Sequence, residues 1–514
     1  MKGRKLKDYI FLGIIIASSL VVVLYLAVHK QGMHEDEFYT YLLSNYGGDG
    51  LAVQYPNGVK VNAKECFDEY FYAKDFNVKN IWNNQKNDVH PPFYYLIFHI
   101  FGLITHHYGN LKSGIILNGF FHGCNILIIY VLLRKLIHRT DLSLLGCGLY
   151  AMMPAVLGNV IFVRMYTLLS MFVLLLVLCL IDGMQEGMNI KFWILLGAVS
   201  MGGILTHYYF IIYLFYSCLV FGLWLLMARM WKQLGGFLAT MCVAAGGSCI
   251  IFPYMLSHIF SGYRGEQSFD NLLHSLWGES LKYYVAKLDT VFGGLLLAAI
   301  IIACVCFVKN VRAFGHGSKA NLILLLVILI PYIFYFLTVT KIAVLNSERY
   351  ITPLYGVSII LIIWGMKSIA ESVFTNENAI VMVVICMVGV MLGSSWKTYT
   401  WSELYLEAEG CMNLAKQYGQ ENDCINIYDK AWESISTFGE FAQYQAISFI
   451  PINELELLDL EYFKEYDHVV VYMDSEMGEE QINSILGRII NNSPKLDTCA
   501  LLYQYQYQSA YYLE

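Results

Sequence analysis

The chain has 514 residues, of which 57% are hydrophobic, 15% aromatic and only 14% charged, with a formal net charge of −7. Soluble globular proteins carry about 25% charged residues, so an ordinary water-soluble enzyme is excluded, and the acidic balance excludes a partner such as nucleic acid held by overall basic charge. The apolar residues run in long blocks with no short repeat, which excludes disorder, collagen and a coiled-coil rod and leaves an integral membrane protein with a mean hydropathy of +0.51.

A membrane-crossing helix needs about 17–25 mostly apolar residues. Eleven segments approach or reach that length: 10–28, 113–133, 142–160, 166–182, 192–206, 208–228, 236–257, 291–308, 321–340, 350–366 and 379–395. The first reads as a signal anchor, because no small-residue cleavage site follows it. In the second, Asn118, His122 and Asn125 share one helix face and are expected to hydrogen-bond between helices. A twelfth candidate, 91–105, has 15 residues and contains His99. At 1.5 Å per residue it would reach about 22 Å, short of the hydrocarbon core, so it is expected to lie in or dip into the outer interface.

Charge bias supports eleven crossings with the N-terminus in the cytoplasm. The inner loops then hold Lys2, Arg4, Lys5, Lys7, Arg134, Lys135, Arg139, Lys191, Arg229, Lys232, Lys309, Arg312, Lys319 and Lys367, fourteen of the 33 basic residues, whereas the short outer turns hold Arg164, Lys341 and Arg349. Counting 91–105 as a crossing would reverse every later loop.

The fold expected is therefore a polytopic α-helical membrane domain over 1–395, with an outer loop at 29–112 and a second outer segment at 258–290, followed by a small extracytoplasmic α/β domain over 396–514. In the tail, strands are expected at Cys424–Tyr428, Ile447–Ile452, His468–Met473 and Leu501–Leu513, separated by helices near 402–418, 432–444 and 479–491. The last strand alternates Tyr503, Tyr505 and Tyr507 with Gln504, Gln506 and Gln508. Of thirteen cysteines only Cys66, Cys411, Cys424 and Cys499 lie in polar sequence; a disulfide among them stays open. No CxxC pair points to zinc or redox work.

The outer loop opens with Met33-His34-Glu35-Asp36-Glu37-Phe38-Tyr39. Three adjoining carboxylates repel one another, which raises the pKa of at least one and suits a general base; an acidic turn capping the next helix accounts for them as well. Further along, Asn87-Asp88-Val89-His90-Pro91-Pro92-Phe93-Tyr94-Tyr95-Leu96 places two prolines where a helix starts. Capping explains Asp88 better than His90. Arg164-Met165-Tyr166, Thr206-His207-Tyr208-Tyr209, and Lys341 with Glu348-Arg349-Tyr350 fall in later outer turns. Singly these are ordinary interface anchors. Together they set carboxylates fit for proton abstraction on the same side of the membrane as cations fit for a phosphate. The spans carry almost no charge at mid-depth, unlike most ion pathways, and there is neither a Walker A sequence nor a Gly-rich dinucleotide loop.

The Asp36-Glu37 pair past the first span, the Asp88-x-His90-Pro91-Pro92-x-Tyr94-Tyr95-Leu96 stretch, Arg164-x-Tyr166 and Arg349-Tyr350 resemble the polytopic GT-C glycosyltransferases over about residues 10–370. Within them the chain is most similar to the family 39 branch, which contains protein O-mannosyltransferases and bacterial sugar transferases acting on lipids and glycans. The resemblance implies an inverting transfer of a sugar, mannose by family-level inference, from a polyprenyl-phosphate donor to a hydroxyl of a lipid, glycan, cell-wall polymer or protein acceptor. It implies Asp36 as the base and Glu37 as a positioning carboxylate. Asp88, His90 and Tyr94 match the loop that closes the site. Arg164, Tyr166, Arg349 and Tyr350, with His207 and Lys341 as weaker candidates, fall where the donor phosphate is met. No cofactor is required, although His34, with Asp36 or Glu37, offers ligands for a divalent metal. The tail matches no module; its aromatic strands are expected to bind the acceptor or shape access to the site. A single glycosylation-type tripeptide outside, Asn491-Asn492-Ser493, favours a bacterial plasma membrane over an endoplasmic reticulum. The alternative is a flippase or transporter of lipid-linked sugars, against which the lack of an internal repeat counts.

Overall fold

The computed structural model describes residues 2–48, 54–296, 298, 300–302, 304, 305, 308 and 319–514. They form two compact units. The first comprises Met1–Leu26, Val89–Tyr94 and Gly114–Thr400, and the second Ala27–Asp88, Tyr95–Ser113 and Trp401–Glu514. The division thus groups most of the outer loop with the tail, where the sequence suggested a single cut at 395/396.

The first unit is helical. Eight described helices are long and apolar enough to cross a membrane: Leu6–His29, Leu111–Ile137, Tyr166–Gln185, Tyr209–Met227, Trp231–Ile251, Leu325–Ile342, Thr352–Val373 and Glu377–Thr398. The apolar helices Thr140–Met152 and Pro154–Ile161 form a pair bent by 52°, which makes a ninth crossing if the two are one span. The break falls where Pro154 has no N–H to continue the ladder. The expected fifth span is the 15-residue helix Ile190–Ile204. The expected eighth, 291–308, lies in part outside the described residues, as do Lys309 and Arg312. The 91–105 segment is the 13-residue apolar helix Phe93–Thr105. These lengths describe a multi-pass membrane protein.

Polar side chains join these helices where an apolar solvent gives little drive for association. Ser19 Oγ lies 2.7 Å from His122 Nε2 and donates to the Ala151 carbonyl at 2.7 Å. Asn125 donates to the Thr167 carbonyl at 3.1 Å. Asn118 donates to the carbonyls of Val160 (3.2 Å) and Phe162 (2.9 Å). The polar face of 118–125 therefore does the interhelical work expected of it.

The second unit is built on a six-stranded sheet: β1 Lys60–Asn62, β2 Cys424–Tyr428, β3 Ala446–Pro451, β4 Val469–Asp474, β5 Cys499–Tyr505 and β6 Gln508–Leu513, in the order β1-β3-β2-β4-β6-β5. β3, β2 and β4 are parallel, and β1, β5 and β6 pair antiparallel. One face buries Ile425, Ile427, Ile450, Val469, Val471, Met473 and Leu513 against Leu458, Phe463, Ile485, Leu486 and Ile489. The single strand expected at Leu501–Leu513 is a hairpin, turning where Gln506 adopts φ +50°. β1 comes from the outer loop, where no strand is expected. Cys66, Cys411, Cys424 and Cys499 are all free thiols.

Candidate active site

In the first unit the Phe162–Met165 segment separates two helices and is fixed by Asn118. Its amide holds the Phe162 carbonyl, which also accepts the Arg164 N–H at 2.8 Å. Tyr94 is fully buried and its hydroxyl donates to Asn118 Oδ1 at 3.1 Å, so it braces this segment. The Phe93 N–H donates to the Leu205 carbonyl at 3.0 Å, which ties the His-Pro-Pro stretch to the turn that carries His207.

These ties bring six expected residues and two unexpected ones, Phe162 and Tyr209, into a closed group. Arg164, 3% exposed, has Nη2 3.5 Å from His90 Nε2. The His90 ring lies 5.6 Å from His207, and His207 lies 5.6 Å from Tyr166 and 5.1 Å from Tyr209. Tyr209 meets Tyr350 at 5.1 Å. The Arg349 guanidinium sits 5.7 Å over Tyr350 and 5.9 Å over Phe162, the residue two before Arg164. Tyr335, 15 positions before Tyr350, donates to the Tyr350 carbonyl at 2.9 Å and fixes the turn.

The Tyr209 N–H donates to His207 Nδ1 at 3.0 Å, so that nitrogen is an acceptor and the ring is neutral. Burial holds the His207 pKa well below its ordinary value, and the positive charges of His90, Arg164 and Arg349 add to the effect. Glu348 is directed to the Tyr355 hydroxyl (2.8 Å) and Lys287 (3.7 Å). Two guanidiniums beside a neutral imidazole and several phenols make a receptor for a phosphate-like anion. Lys341 goes elsewhere: its ammonium donates to the Ser275 carbonyl at 2.9 Å and to Ser275 Oγ at 3.1 Å.

In the second unit the acidic stretch opens the helix Glu35–Asn45. His34 is its N-cap: Nδ1 accepts the Asp36 N–H at 3.0 Å, and the His34 N–H donates to Glu37 Oε2 at 2.9 Å. Glu37 is fully buried and takes both oxygens to Lys30 Nζ, at 2.8 and 2.9 Å, with Lys30 equally buried. Glu37 thus holds neighbouring groups, Lys30 and the His34 backbone, just after the first span. Asp36 keeps 22% of its side chain exposed, with Oδ2 3.4 Å from His34 Nδ1. Asp88 ends the helix Val78–Asn87, its N–H on the Asn84 carbonyl at 3.2 Å. Among the described residues no three His, Cys, Asp or Glu side chains converge as metal ligands, and the capping bond at His34 and the ion pair at Glu37 already commit two of the expected donors.

Residues 89–247 match the family model of dolichyl-phosphate-mannose-protein mannosyltransferases, a stretch that includes His90, Tyr94, Arg164, Tyr166 and His207. No curated protein matches the sequence. The fold is similar to the crystal structure of ArnT from Cupriavidus metallidurans bound to undecaprenyl phosphate, with a TM-score of 0.59 and 12% identity over 97% of each chain. The chain has the GT-C fold. The apo state of the same ArnT gives 0.54 at 13% identity, again over 97% of each chain. The Archaeoglobus fulgidus oligosaccharyltransferase in complex with Zn and sulfate gives 0.50 at 11% identity, over 97% of this chain and 72% of that one. At 97% of this chain, the ArnT likeness takes in the strand-containing tail as well as the helical unit.

Proposed function

We propose that the chain is an inverting glycosyltransferase that moves a sugar from a polyprenyl-phosphate carrier to an acceptor hydroxyl on the extracytoplasmic side of a bacterial plasma membrane. The observation that carries this reading is the convergence of Arg164, Arg349 and His90 around a neutral His207. In the reaction, Asp36 takes the acceptor proton, the acceptor oxygen bonds to the anomeric carbon, and the bond to the lipid phosphate breaks. Negative charge grows on the leaving phosphate, and fixed guanidiniums stabilise it most where water is excluded. His207 remains neutral, so the phosphate meets donors that do not change charge near neutral pH. One displacement inverts the anomeric centre and needs no nucleotide loop. The match to mannosyltransferases supports mannose as the first sugar to try, and the acceptor is a lipid, glycan, cell-wall polymer or protein.

The test is purified full-length protein in detergent with a panel of polyprenyl-phosphate sugars and a cell-envelope extract, followed by mass spectrometry. Consumption of one donor with gain of a glycosylated product, lost in Asp36→Asn of unchanged melting temperature, is expected. Movement of donor across sealed vesicles without any new glycosidic bond would favour a transporter.

A further inference from the structure

The sheet of the second unit reverses its winding at β2. The connection from β2 runs to β3 on one side, and the connection from β3 crosses to β4 on the other. The two connections cover opposite faces. Residues Ala431–Phe441 pack over Asn426, Phe449 and Tyr472, while Leu458 and Phe463 pack over Ile425, Ile427 and Val471. Such a reversal opens a crevice at the carboxyl ends of the two strands beside it, and open α/β sheets bind ligands there. In this sheet that position falls between Tyr428–Lys430 and Asp474–Ser475. The β5–β6 turn is tied to the same end, with the Ser475 N–H on the Tyr507 carbonyl at 2.9 Å and Ser475 Oγ on the Gln506 carbonyl at 3.0 Å.

The side chains at this end are polar groups beside an aromatic pair. Trp432 is 37% exposed and meets the Tyr507 ring at 5.3 Å and 78°. Lys430 donates to Glu433 Oε1 at 3.1 Å and lies 5.8 Å over the Trp432 ring. Burial and the nearby charge of Asp474 push the Glu433 carboxyl above its ordinary value, against the pull of Lys430. Gln508 pairs in register with Asp474, so both side chains project from the same face, the one against which Ala431–Thr437 packs. Gln508 is 2% exposed, and neither its carboxamide nitrogen nor its oxygen is hydrogen-bonded to any described residue. A buried amide needs partners, so these two atoms mark where a ligand's polar groups fit.

The chemistry selects the ligand class. Glu433 and Asp474, with Asp429 and Glu476 in the adjoining turns, outnumber Lys430 and repel phosphates and uronates. The described residues offer no three-ligand metal group. An exposed indole edged by a phenol suits the C–H face of a pyranose, and carboxylates with a carboxamide suit its hydroxyls. We propose that this crevice binds a glycan, neutral or amine-bearing, with Trp432 as its platform and Glu433, Asp474 and Gln508 as hydroxyl partners. Its role as an acceptor subsite rests on the transferase reading; the binding itself does not.

Calorimetric titration of the full-length protein in detergent, without donor, tests it with mannotetraose, chitosan tetrasaccharide and tetragalacturonate. Saturable binding of the first or second is expected, which tells a neutral from an amine-bearing ligand, with at least tenfold weakening in Trp432→Ala and in Asp474→Asn and no binding of the uronate. Trp432 and Asp474 are both accessible, and unchanged melting temperatures exclude misfolding. Binding of neither tetrasaccharide, equal binding in the variants, or binding of the uronate would overturn the proposal. A protein that binds glycan but transfers no sugar would overturn the transferase reading alone, and one that transfers sugar without Trp432-dependent binding would overturn this site alone.

Discussion

Lys30 and Glu37 share a charge–charge contact from which water is excluded, and such a pair contributes little over an apolar one yet is costly to break. Glu37→Ala leaves a buried ammonium and an unpaired His34 N–H, so a loss of about 3–5 kcal/mol is expected. In Lys30→Met combined with Glu37→Met much of that loss should return. A double-mutant cycle on thermal unfolding checks this, and additive losses would contradict it. His107 gives a pH prediction. Burial, then the charges of His99 and His106, pull its pKa down to about 4. The folded state thus refuses a proton that the unfolded state takes up below about 6.5. Its contribution to stability is present above pH 6.5 and is lost as pH falls toward 4, worth up to about 3 kcal/mol. Unfolding midpoints measured from pH 7 to pH 4 should drop, and less steeply in His107→Phe. At this scale the sequence was partly legible. His90, Arg164, His207 and Arg349 stood out because cations and aromatics at span ends on one side are a pattern. Lys30 and Phe162 drew no reading from the sequence, and Tyr209 only that of an interface anchor, since only the turn geometry gathers them. Lys341 carried the same signal as Arg349 and went to Ser275 instead.

Strands β2 and β4 alternate the two faces of the sheet and are buried on both, so they read as short continuous apolar runs. That made Cys424–Tyr428 legible to the residue and His468–Met473 to within one. The hairpin was not, because Gln506 and Tyr507 extend the Tyr/Gln alternation through the turn and neither Gly, Asn nor Asp marks it. β1 has three residues and gains its place only from pairing with β3 far along the chain. The parallel centre should carry the stability of this unit. Ile427→Ala, at a fully buried position facing Leu458 and Ile485, is expected to cost about 2–5 kcal/mol. Hydrogen exchange should show lost protection in the strands and unchanged protection in the helix Gly114–Ile137; uniform loss in both would contradict an independent core.

Across the whole molecule, hydropathy located the helices, because a bilayer admits only segments whose backbone bonds close internally, and charge bias sets the direction expected of them. The bend at Pro154 was not legible, because composition counts apolar residues and ignores bends, whereas the short fifth segment, 192–206, corresponds to the 15-residue helix Ile190–Ile204. The direction makes a prediction of its own. Cys499 lies exposed in the tail, so a membrane-impermeant maleimide should label it in intact cells and fail to do so in Cys499→Ser. Labelling only after permeabilisation would invert the topology and with it the extracytoplasmic reaction. The claim on which most depends is that Arg164 and Arg349 hold the leaving phosphate. It is tested most directly by single-turnover transfer from a polyprenyl-phosphate sugar in the wild type, Arg164→Ala and Arg349→Ala. Each variant should slow transfer by about 10²–10³-fold with its melting temperature kept. Rates within a few-fold of the wild type in both would show that the phosphate is held elsewhere.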